Sequence, residues 1–344
     1  MRNSSDLMQL SRPNLPTRET RAARSGANIQ PPIQKRLMPT LPQRAQIVDV
    51  GPRDGLQNEK QMIPAEVKIE LVDRLTDAGF AHIEVTSYVS PKWVPQMGDA
   101  ADVMGRIRRK PGVVYSVLVP NTQGYLKATE SPRALWPDEI VVFAAASEAF
   151  SQKNINCSID ESIERFRPVT EQAQQDGIRI RGALSCALGC PYQGEVEPDA
   201  VAHVARRMKE IGVQHIGVAD TIGTGTPEKT KRAMDAVLNV YELDEVSGHF
   251  HDTYGMATAN VYACLELGIA SFDSSIAGLG GCPYAKGATG NVATEDVLYL
   301  LNGLGIETGI DFAKAVATGQ WISGILGRKA HPRAGNAVTA KLAA

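Results

Sequence analysis

A closed (β/α)8 (TIM) barrel of the α/β class is the fold that this sequence predicts, and three observations predict it. From Ala45 onward, a short apolar strand, a polar loop and an amphipathic helix ended by glycine recur along the chain. Strict alternation of strand and helix favours a parallel sheet, and eight such units in about 280 residues fit a closed barrel better than an open sheet. An open dinucleotide-binding sheet would also carry a glycine-rich phosphate loop after the first strand, and Gly51–Gly55 does not match one.

The predicted elements follow from the hydrophobic period and from proline and glycine at helix ends. Pro64 opens a helix that Gly79 closes, and Pro198 opens another that Gly212 closes. We predict Asp160 as the N-cap of a further helix. The eight predicted strands are, in order, Gln46–Val50, Ala81–Thr86, Val113–Val119, Glu139–Ala145, Arg179–Ser185, His215–Asp220, Val246–Phe250 and Ser271–Ile276.

The first 44 residues differ in composition from the rest of the chain. They contain six prolines and eight Lys or Arg against two Asp or Glu, without a sustained apolar period. Because such a segment buries too little surface to offset its ordering entropy, we predict a disordered or loosely docked tail over 1–44. A single catalytic barrel is expected over 45–326, followed by a C-terminal extension over 327–344.

Overall charge and cysteine usage exclude several classes of protein. A net charge of -2 gives no reason to expect a nucleic acid or an anionic membrane as partner. No apolar run approaches the roughly 18 residues that span a bilayer, and five scattered cysteines do not resemble a disulfide framework. We therefore expect a cytoplasmic protein, with the mitochondrial matrix as the alternative if the Arg-rich tail is a transit peptide.

Polar residues that directly follow the strands are the candidates for chemistry, because barrel active sites lie at the carboxyl ends of the strands. Arg53 and Asp54 follow the first strand, Glu84 lies near the end of the second, and Asp220 ends the sixth. Burying a carboxylate at the end of an apolar strand is costly unless a positive charge is near. Glu84 and Asp220 are therefore expected to lie around a metal ion or Arg53.

A second candidate feature is the pair His249 and His251 at the end of the seventh strand. Side chains two residues apart in an extended chain point to the same side, so both imidazoles can face one ion. Asp54 from the first strand could add a carboxylate. Two imidazoles with oxygen ligands suit Mg²⁺, Mn²⁺ or Zn²⁺.

The segment 278–291 after the last strand holds five glycines around Cys282. Glycines let the backbone approach a ligand closely or let a loop move as a lid. Cys282 is the only one of the five cysteines in such a setting, which makes it the candidate reactive thiol. The remaining cysteines are predicted to be small structural residues: Cys157, Cys186, Cys190 and Cys264.

Several long motifs resemble one enzyme family. Val48–Lys60 resembles the opening signature of the 3-hydroxy-3-methylglutaryl-CoA lyases, and the resemblance runs from about Ile47 to Leu326. It implies a TIM-barrel metallolyase, usually a homodimer, that uses Mg²⁺ or Mn²⁺ and cleaves an acyl-CoA substrate into acetyl-CoA and acetoacetate. The other matching stretches are Ser87–Met97, Cys186–Tyr192, His249–Gly255 and Gly278–Asp296.

The resemblance also implies roles for individual residues. The implied metal ligands are Asp54, His249, His251 and Asn291. Arg53 would contact the substrate, and Cys282 would be the catalytic thiol in a mobile loop. Glu84, Asp220 and Glu295 match family positions near the site, and we expect Glu84 and Asp220 to be catalytic.

The implied reaction is a reversed Claisen condensation. A base, either Asp54 or His249, takes the C3 hydroxyl proton, and the C2–C3 bond breaks. Arg53 neutralises the enolate oxygen, and Cys282 protonates the carbanion. Two alternatives stay open from the sequence: a lyase for a longer-branched 3-hydroxyglutaryl-CoA, and a condensing synthase or aldolase of the same barrel superfamily.

Overall fold

A closed barrel of eight parallel strands is the centre of the structure, a computed structural model that describes residues 40–281 and 290–342. The strands pair in sequence order, and the last strand pairs with the first. All eight predicted strands are confirmed, with ends that differ by at most two residues. The strands are β1 (Gln46–Asp49), β2 (His82–Ser87), β3 (Val114–Leu118), β4 (Glu139–Ala145), β5 (Arg179–Ser185), β6 (His215–Asp220), β7 (Val246–Phe250) and β8 (Ser271–Ser274).

Helices follow the strands and cover the barrel with their apolar faces; Leu71 and Leu75, for example, are fully buried. Gly79 and Gly212 end two of these helices with positive φ angles of 95° and 92°, which glycine adopts at no steric cost. The helices are α1 (Ala65–Asp77), α2 (Ala100–Arg106), α3 (Thr122–Ala128), α4 (Glu148–Ile155), α5 (Ile159–Gln175), α6 (Pro198–Glu210), α7 (Pro227–Leu238), α8 (Ala257–Glu266), α9 (Thr294–Gly303), α10 (Phe312–Ile325) and α11 (Arg333–Leu342).

The predicted N-cap of α5 is wrong. Ser158, not Asp160, caps this helix, because its hydroxyl accepts the Glu161 N–H while the Glu161 carboxylate accepts the Ser158 N–H. This reciprocal capping box satisfies two backbone donors and starts the helix at Ile159. Asp160 instead lies in the first turn, where a negative charge suits the helix dipole.

Charged side chains meet across the interior of the barrel. Arg181 of β5 contacts Asp273 of β8, and His82 of β2 lies beside Glu139 of β4. The strands in each pair are not neighbours, so these contacts pass through the middle of the barrel. Branched apolar residues dominate most barrels of this kind, and the charged interior therefore needs a separate explanation.

The segment predicted as a C-terminal extension contains α11. The Asp296 carboxylate in α9 accepts the backbone N–H groups of Arg333 and Ala334, which caps the start of α11. Residues 1–39 of the predicted tail lie outside the described residues, so the division at residue 44 stays a prediction. Within the described ranges, the search for a helix that is both long and apolar enough to span a membrane finds none.

Candidate active site at the carboxyl ends of the strands

A π-helical turn over Gly51–Gly55 places Arg53 and Asp54 directly after β1. The turn is tight: a Cβ atom on Gly51 would lie 2.7 Å from the Asp49 Oδ1 atom, and one on Gly55 would lie 2.7 Å from the Leu279 Cβ atom. Glycine at these two positions is therefore what allows the turn to pack against the end of β1 and the segment that follows β8.

Arg53 is buried between two carboxylates. Its Nη1 donates to Asp54 Oδ1 at 2.8 Å and its Nη2 to Glu84 Oε2 at 2.8 Å. Among the described residues, Arg53 Nε and Glu84 Oε1 are buried without a hydrogen-bond partner. Burial raises the pKa of Glu84 despite the opposing charge of Arg53. The pair thus keeps one donor and one acceptor available to a ligand.

Asp54, His249 and His251 form the described group that could hold a metal ion. One ligand atom from each lies within 4.8 Å of the others, and the two imidazole centroids are 5.4 Å apart. His251 Nδ1 is buried with no hydrogen-bond partner among the described residues. A buried nitrogen lone pair without a partner fits a metal ligand.

The charges in this group suit a cation. Burial alone would raise the pKa of Asp54, but Arg53 and the two histidines lower it to about 2. Burial and the nearby charge of His249 lower the pKa of His251 to about 4. Near neutral pH the site therefore presents a carboxylate and a neutral imidazole, the forms that bind metal ions.

Asn291, predicted as a fourth ligand, lies at the edge of the same group. Its Nδ2 donates to Asp54 Oδ2 at 2.7 Å, and its backbone forms an isolated bridge with His251. The structure thus brings all four predicted ligands together, three from strand ends and one from the segment before α9. An amide that binds Asp54 holds that carboxylate in one orientation.

His249 has a partner that the sequence analysis missed. Its Nδ1 lies 3.1 Å from Asp273 Oδ2, and Asp273 Oδ1 lies 2.5 Å from Arg181 Nη2. Burial alone would lower the pKa of His249, but Asp273 raises it. A charged residue inside a predicted strand is the signal that could have identified both Asp273 and Arg181, since a similar signal singled out Glu84.

Asp220 lies at the end of β6 as predicted, but its carboxylate is occupied by backbone donors. Thr224 N donates to Oδ1 at 3.0 Å and Gly225 N to Oδ2 at 2.8 Å. Burial raises the pKa of Asp220 to about 6, although these bonds oppose the rise. The side chain holds the loop after β6, whose first residue, Thr221, lines the cavity described below.

Glu295 plays a similar part after β8. Both of its oxygens accept the Ala277 N–H at 3.1 Å, and Ala277 has a φ of 58°, in the left-handed region. The residue is 1% exposed, and burial raises its pKa to about 8. Glu295 therefore supports the strained turn that leads into the glycine-rich segment.

A cavity of about 930 Å³ opens at this end of the barrel and reaches into its interior. Arg53, Asp54, Glu84 and both histidines line it. Its outer wall carries two cationic side chains, from Lys153 and Arg165, together with Trp93, which is 84% exposed. Its apolar wall includes Phe143, Phe150 and Phe166. The cavity combines a charged centre, an apolar wall and a cationic entrance.

Of the predicted site residues, Cys282 lies outside the described residues. The four described cysteines are all buried, as the structural interpretation predicts. Cys157 lines the cavity, but burial raises its pKa, and burial also raises that of Cys264. These environments do not favour a thiolate at either position.

The sequence of this chain is similar to those of enzymes with a named activity. The family model described as HMGL-like matches residues 44–322. A curated relative from Pseudomonas aeruginosa, 3-hydroxy-3-isohexenylglutaryl-CoA/hydroxy-methylglutaryl-CoA lyase, is 57% identical over 301 residues, or 88% of this chain and 99% of the relative. Relatives about 50% identical to this chain include enzymes named as mitochondrial and enzymes named as cytoplasmic.

Solved structures give the same match. The crystal structure of hydroxymethylglutaryl-CoA lyase from Pseudomonas aeruginosa has a TM-score of 0.85 and 56% identity, covering 88% of this chain and 99% of that one. An HMG-CoA lyase from Acinetobacter baumannii, solved in complex with coenzyme A and 3-methylmalate, has a TM-score of 0.81 and 32% identity. That match covers 86% of this chain and 95% of the other.

Proposed function

This chain belongs to the hydroxymethylglutaryl-CoA lyase family, and we propose that it cleaves 3-hydroxy-3-methylglutaryl-CoA to acetyl-CoA and acetoacetate. The observation that carries the proposal is the grouping of Asp54, His249 and His251 beside Arg53 at one end of the barrel. A condensing synthase or aldolase is not supported, because the relatives matched over nearly their full length are lyases.

We propose a divalent metal ion, Mg²⁺ or Mn²⁺, as the cofactor. Asp54, His249 and His251 would hold it, with Asn291 beside them. The orphaned Nδ1 of His251 and the low pKa of Asp54 support this assignment. When bound, such an ion supplies Lewis-acid stabilisation of the negative charge that develops during cleavage.

The side chains of this site would divide the remaining chemistry. Asp54 and His249 are the candidates for taking the proton from the C3 hydroxyl, after which the C2–C3 bond breaks and its electron pair passes into the thioester enolate. Arg53 would neutralise the enolate oxygen, since its guanidinium is buried and keeps its Nε free of protein partners among the described residues. Glu84 would orient Arg53 and present its second oxygen to the substrate.

The last step is the return of a proton to C2, which completes acetyl-CoA. We propose Cys282 as the group that delivers it, because this is the one cysteine in the glycine-rich segment and the described cysteines are buried. Asp220 would contribute by positioning, since it fixes the loop that carries Thr221 to the cavity.

We also propose that the substrate is a CoA thioester held along the cavity. Lys153 and Arg165 at its entrance suit the phosphates of coenzyme A, and the Acinetobacter baumannii relative was solved with coenzyme A bound. A longer acyl branch is a second candidate substrate, favoured by the phenylalanine-lined wall and by the isohexenyl activity in the name of the Pseudomonas relative. A homodimer, as the family resemblance implies, is the expected assembly.

One assay tests the function. Purified protein, treated with EDTA and dialysed, is supplied with 3-hydroxy-3-methylglutaryl-CoA in the presence and absence of Mg²⁺ or Mn²⁺. We expect acetoacetate only when metal is added, and a parallel assay with the isohexenyl thioester ranks the two branches by kcat/KM. Full turnover without metal would contradict the cofactor, and no cleavage of either thioester would contradict the function.

A further inference from the structure

Two charged side chains that the proposed reaction does not use stand directly behind His249. Asp273 is the register partner of His249 in the β7–β8 pair, and the two side chains meet at 3.1 Å. Arg181 binds the other Asp273 oxygen at 2.5 Å and donates to Ser247 Oγ at 2.7 Å. A continuous chain of contacts therefore runs from β5 through β8 to His249.

This ion pair is deeply buried, with Asp273 9% and Arg181 5% exposed. Buried ion pairs seldom stabilise a protein more than apolar side chains of the same volume would, because desolvation offsets the attraction. The neighbouring strand leaves room for the pair: a Cβ atom on Gly217 would lie 3.3 Å from Ser247 Oγ and 3.7 Å from Asp273 Oδ2. Stability alone does not account for the pair.

The chemistry of imidazole suggests what the pair does. A neutral histidine carries one proton, and the nitrogen that carries it has no lone pair for a metal ion. A carboxylate facing Nδ1 keeps the proton there and leaves Nε2 as the donor atom. For His251, by contrast, Nδ1 is the nitrogen without a partner among the described residues.

We propose that Asp273 and Arg181 are positioning residues that fix the tautomer and ring orientation of His249, so that His249 binds the metal through Nε2. Asp273 contacts the imidazole, and Arg181 holds Asp273 in place. The proposal rests on the metal site proposed above and adds two residues to the machinery of that site. Because it engages both nitrogens of His249, it leaves Asp54 as the base for the C3 hydroxyl proton.

The chain offers a control at the amino ends of β2 and β4. His82 Nε2 lies 3.0 Å from Glu139 Oε1, and both residues are as buried as Asp273. Glu139→Gln therefore neutralises a buried carboxylate that lies beside a histidine outside the metal site. A general loss of barrel stability would affect both variants, whereas a loss of ligand positioning would affect only Asp273→Asn.

The test measures Mn²⁺ affinity by calorimetry on the full chain after removal of metal. We expect Asp273→Asn to weaken Mn²⁺ binding by about 10- to 100-fold, as loss of an outer-shell partner typically does, and Glu139→Gln to leave it unchanged. Because Asp273→Asn leaves the buried Arg181 charge unpaired, which destabilises the fold, the double variant Asp273→Asn with Arg181→Met provides a neutral replacement. It should show the same loss of affinity.

Nitrogen NMR of protein with its six histidines labelled gives a second readout. At a pH where the ring is neutral, the wild type should show His249 with its proton on Nδ1. Equal Mn²⁺ affinity in the wild type and in a folded Asp273 variant would overturn the positioning role while the metal site stands. A wild-type protein that cleaves the thioester without binding Mn²⁺ or Mg²⁺ would overturn both proposals.

Discussion

Two buried histidine–carboxylate contacts lie inside the same barrel, and they differ in what surrounds them. At the carboxyl ends of the strands, His249 and Asp273 border the cavity that holds Arg53. At the amino ends, His82 lies beside Glu139, and neither is among the described residues that line that cavity. The imidazole-to-carboxylate distances are similar, but His82 Nε2 also meets Ser116 Oγ at 3.1 Å, and only the His249–Asp273 pair lines the cavity.

Electrostatics alone does not separate the two pairs. Burial alone would raise the pKa values of Asp273 and Glu139, but nearby arginine and histidine charges lower each to about 2. Carboxylates with lowered pKa values stabilise the folded state above the pKa of the unfolded chain, and that contribution is lost as the pH falls towards 2. Both carboxylates therefore stabilise the folded state above about pH 4, whereas only Asp273 lines the cavity.

The largest expected effect on activity comes from a substitution at the carboxyl ends of the strands. Asp54→Ala should lower kcat/KM by on the order of 10³-fold, because it removes a proposed metal ligand and the partner of Arg53. Glu139→Gln should keep kcat near the wild-type value yet lower the melting temperature by several degrees. Steady-state assays with excess Mg²⁺ and thermal melts measure both; near-native turnover in the folded Asp54 variant would disprove the role of Asp54.

A smaller effect is expected at Cys282. Cys282→Ser should lower kcat by about 100-fold while Mn²⁺ affinity is unchanged, because a hydroxyl is a poorer acid than a thiol. Brief alkylation followed by peptide mapping should label Cys282 before the buried cysteines, for which Cys264 is the matched comparison. First labelling at Cys264, with normal turnover in the serine variant, would refute the thiol mechanism.

The smallest expected effect concerns Glu295, a buried carboxylate at the carboxyl end that supports a turn. Because its pKa is raised from 4.5 to about 8, the folded state holds its proton more tightly than the unfolded chain does. Its stabilisation is complete below pH 4.5 and is lost as the pH rises towards 8. Relative to the wild type, Glu295→Gln should gain at least about 1 kcal/mol of unfolding free energy between pH 5 and pH 8.

Urea denaturation at the two pH values checks this expectation. Glu307→Gln is the control, since Glu307 is an exposed carboxylate whose partner, Arg44, is also exposed. An identical pH response in the Glu295 and Glu307 variants would show that burial of Glu295 does not control its protonation.

The strands and much of the site followed from the sequence for a simple physical reason. Most strands are local apolar runs, and the carboxyl ends of parallel strands must meet, so Asp54 and His249 could be placed together before the register was known. Arg181 and Asp273 were missed because their contact joins β5 to β8 across the closed barrel. No local pattern reports which side chains meet through the interior.

The prediction for Asp220 shows a second reason why the site could not be fully predicted from the sequence. A buried carboxylate was expected to need a metal ion or Arg53, but backbone N–H groups of the next loop satisfy it instead. Every loop contains backbone N–H groups whatever its residues are, so the sequence does not show which of them bind a carboxylate. Its catalytic role, like those of Glu84 and Cys282, stays a prediction.

Trp93 gives the molecule an intrinsic optical reporter. The chain has three tryptophans, and the other two are half-buried, each beneath an arginine guanidinium: Trp136 under Arg133 at 4.4 Å and Trp321 under Arg74 at 4.6 Å. Only Trp93 is largely exposed and lines the cavity. A shift in fluorescence emission when the cavity fills would therefore arise from this one indole, so ligand occupancy can be followed without any added dye.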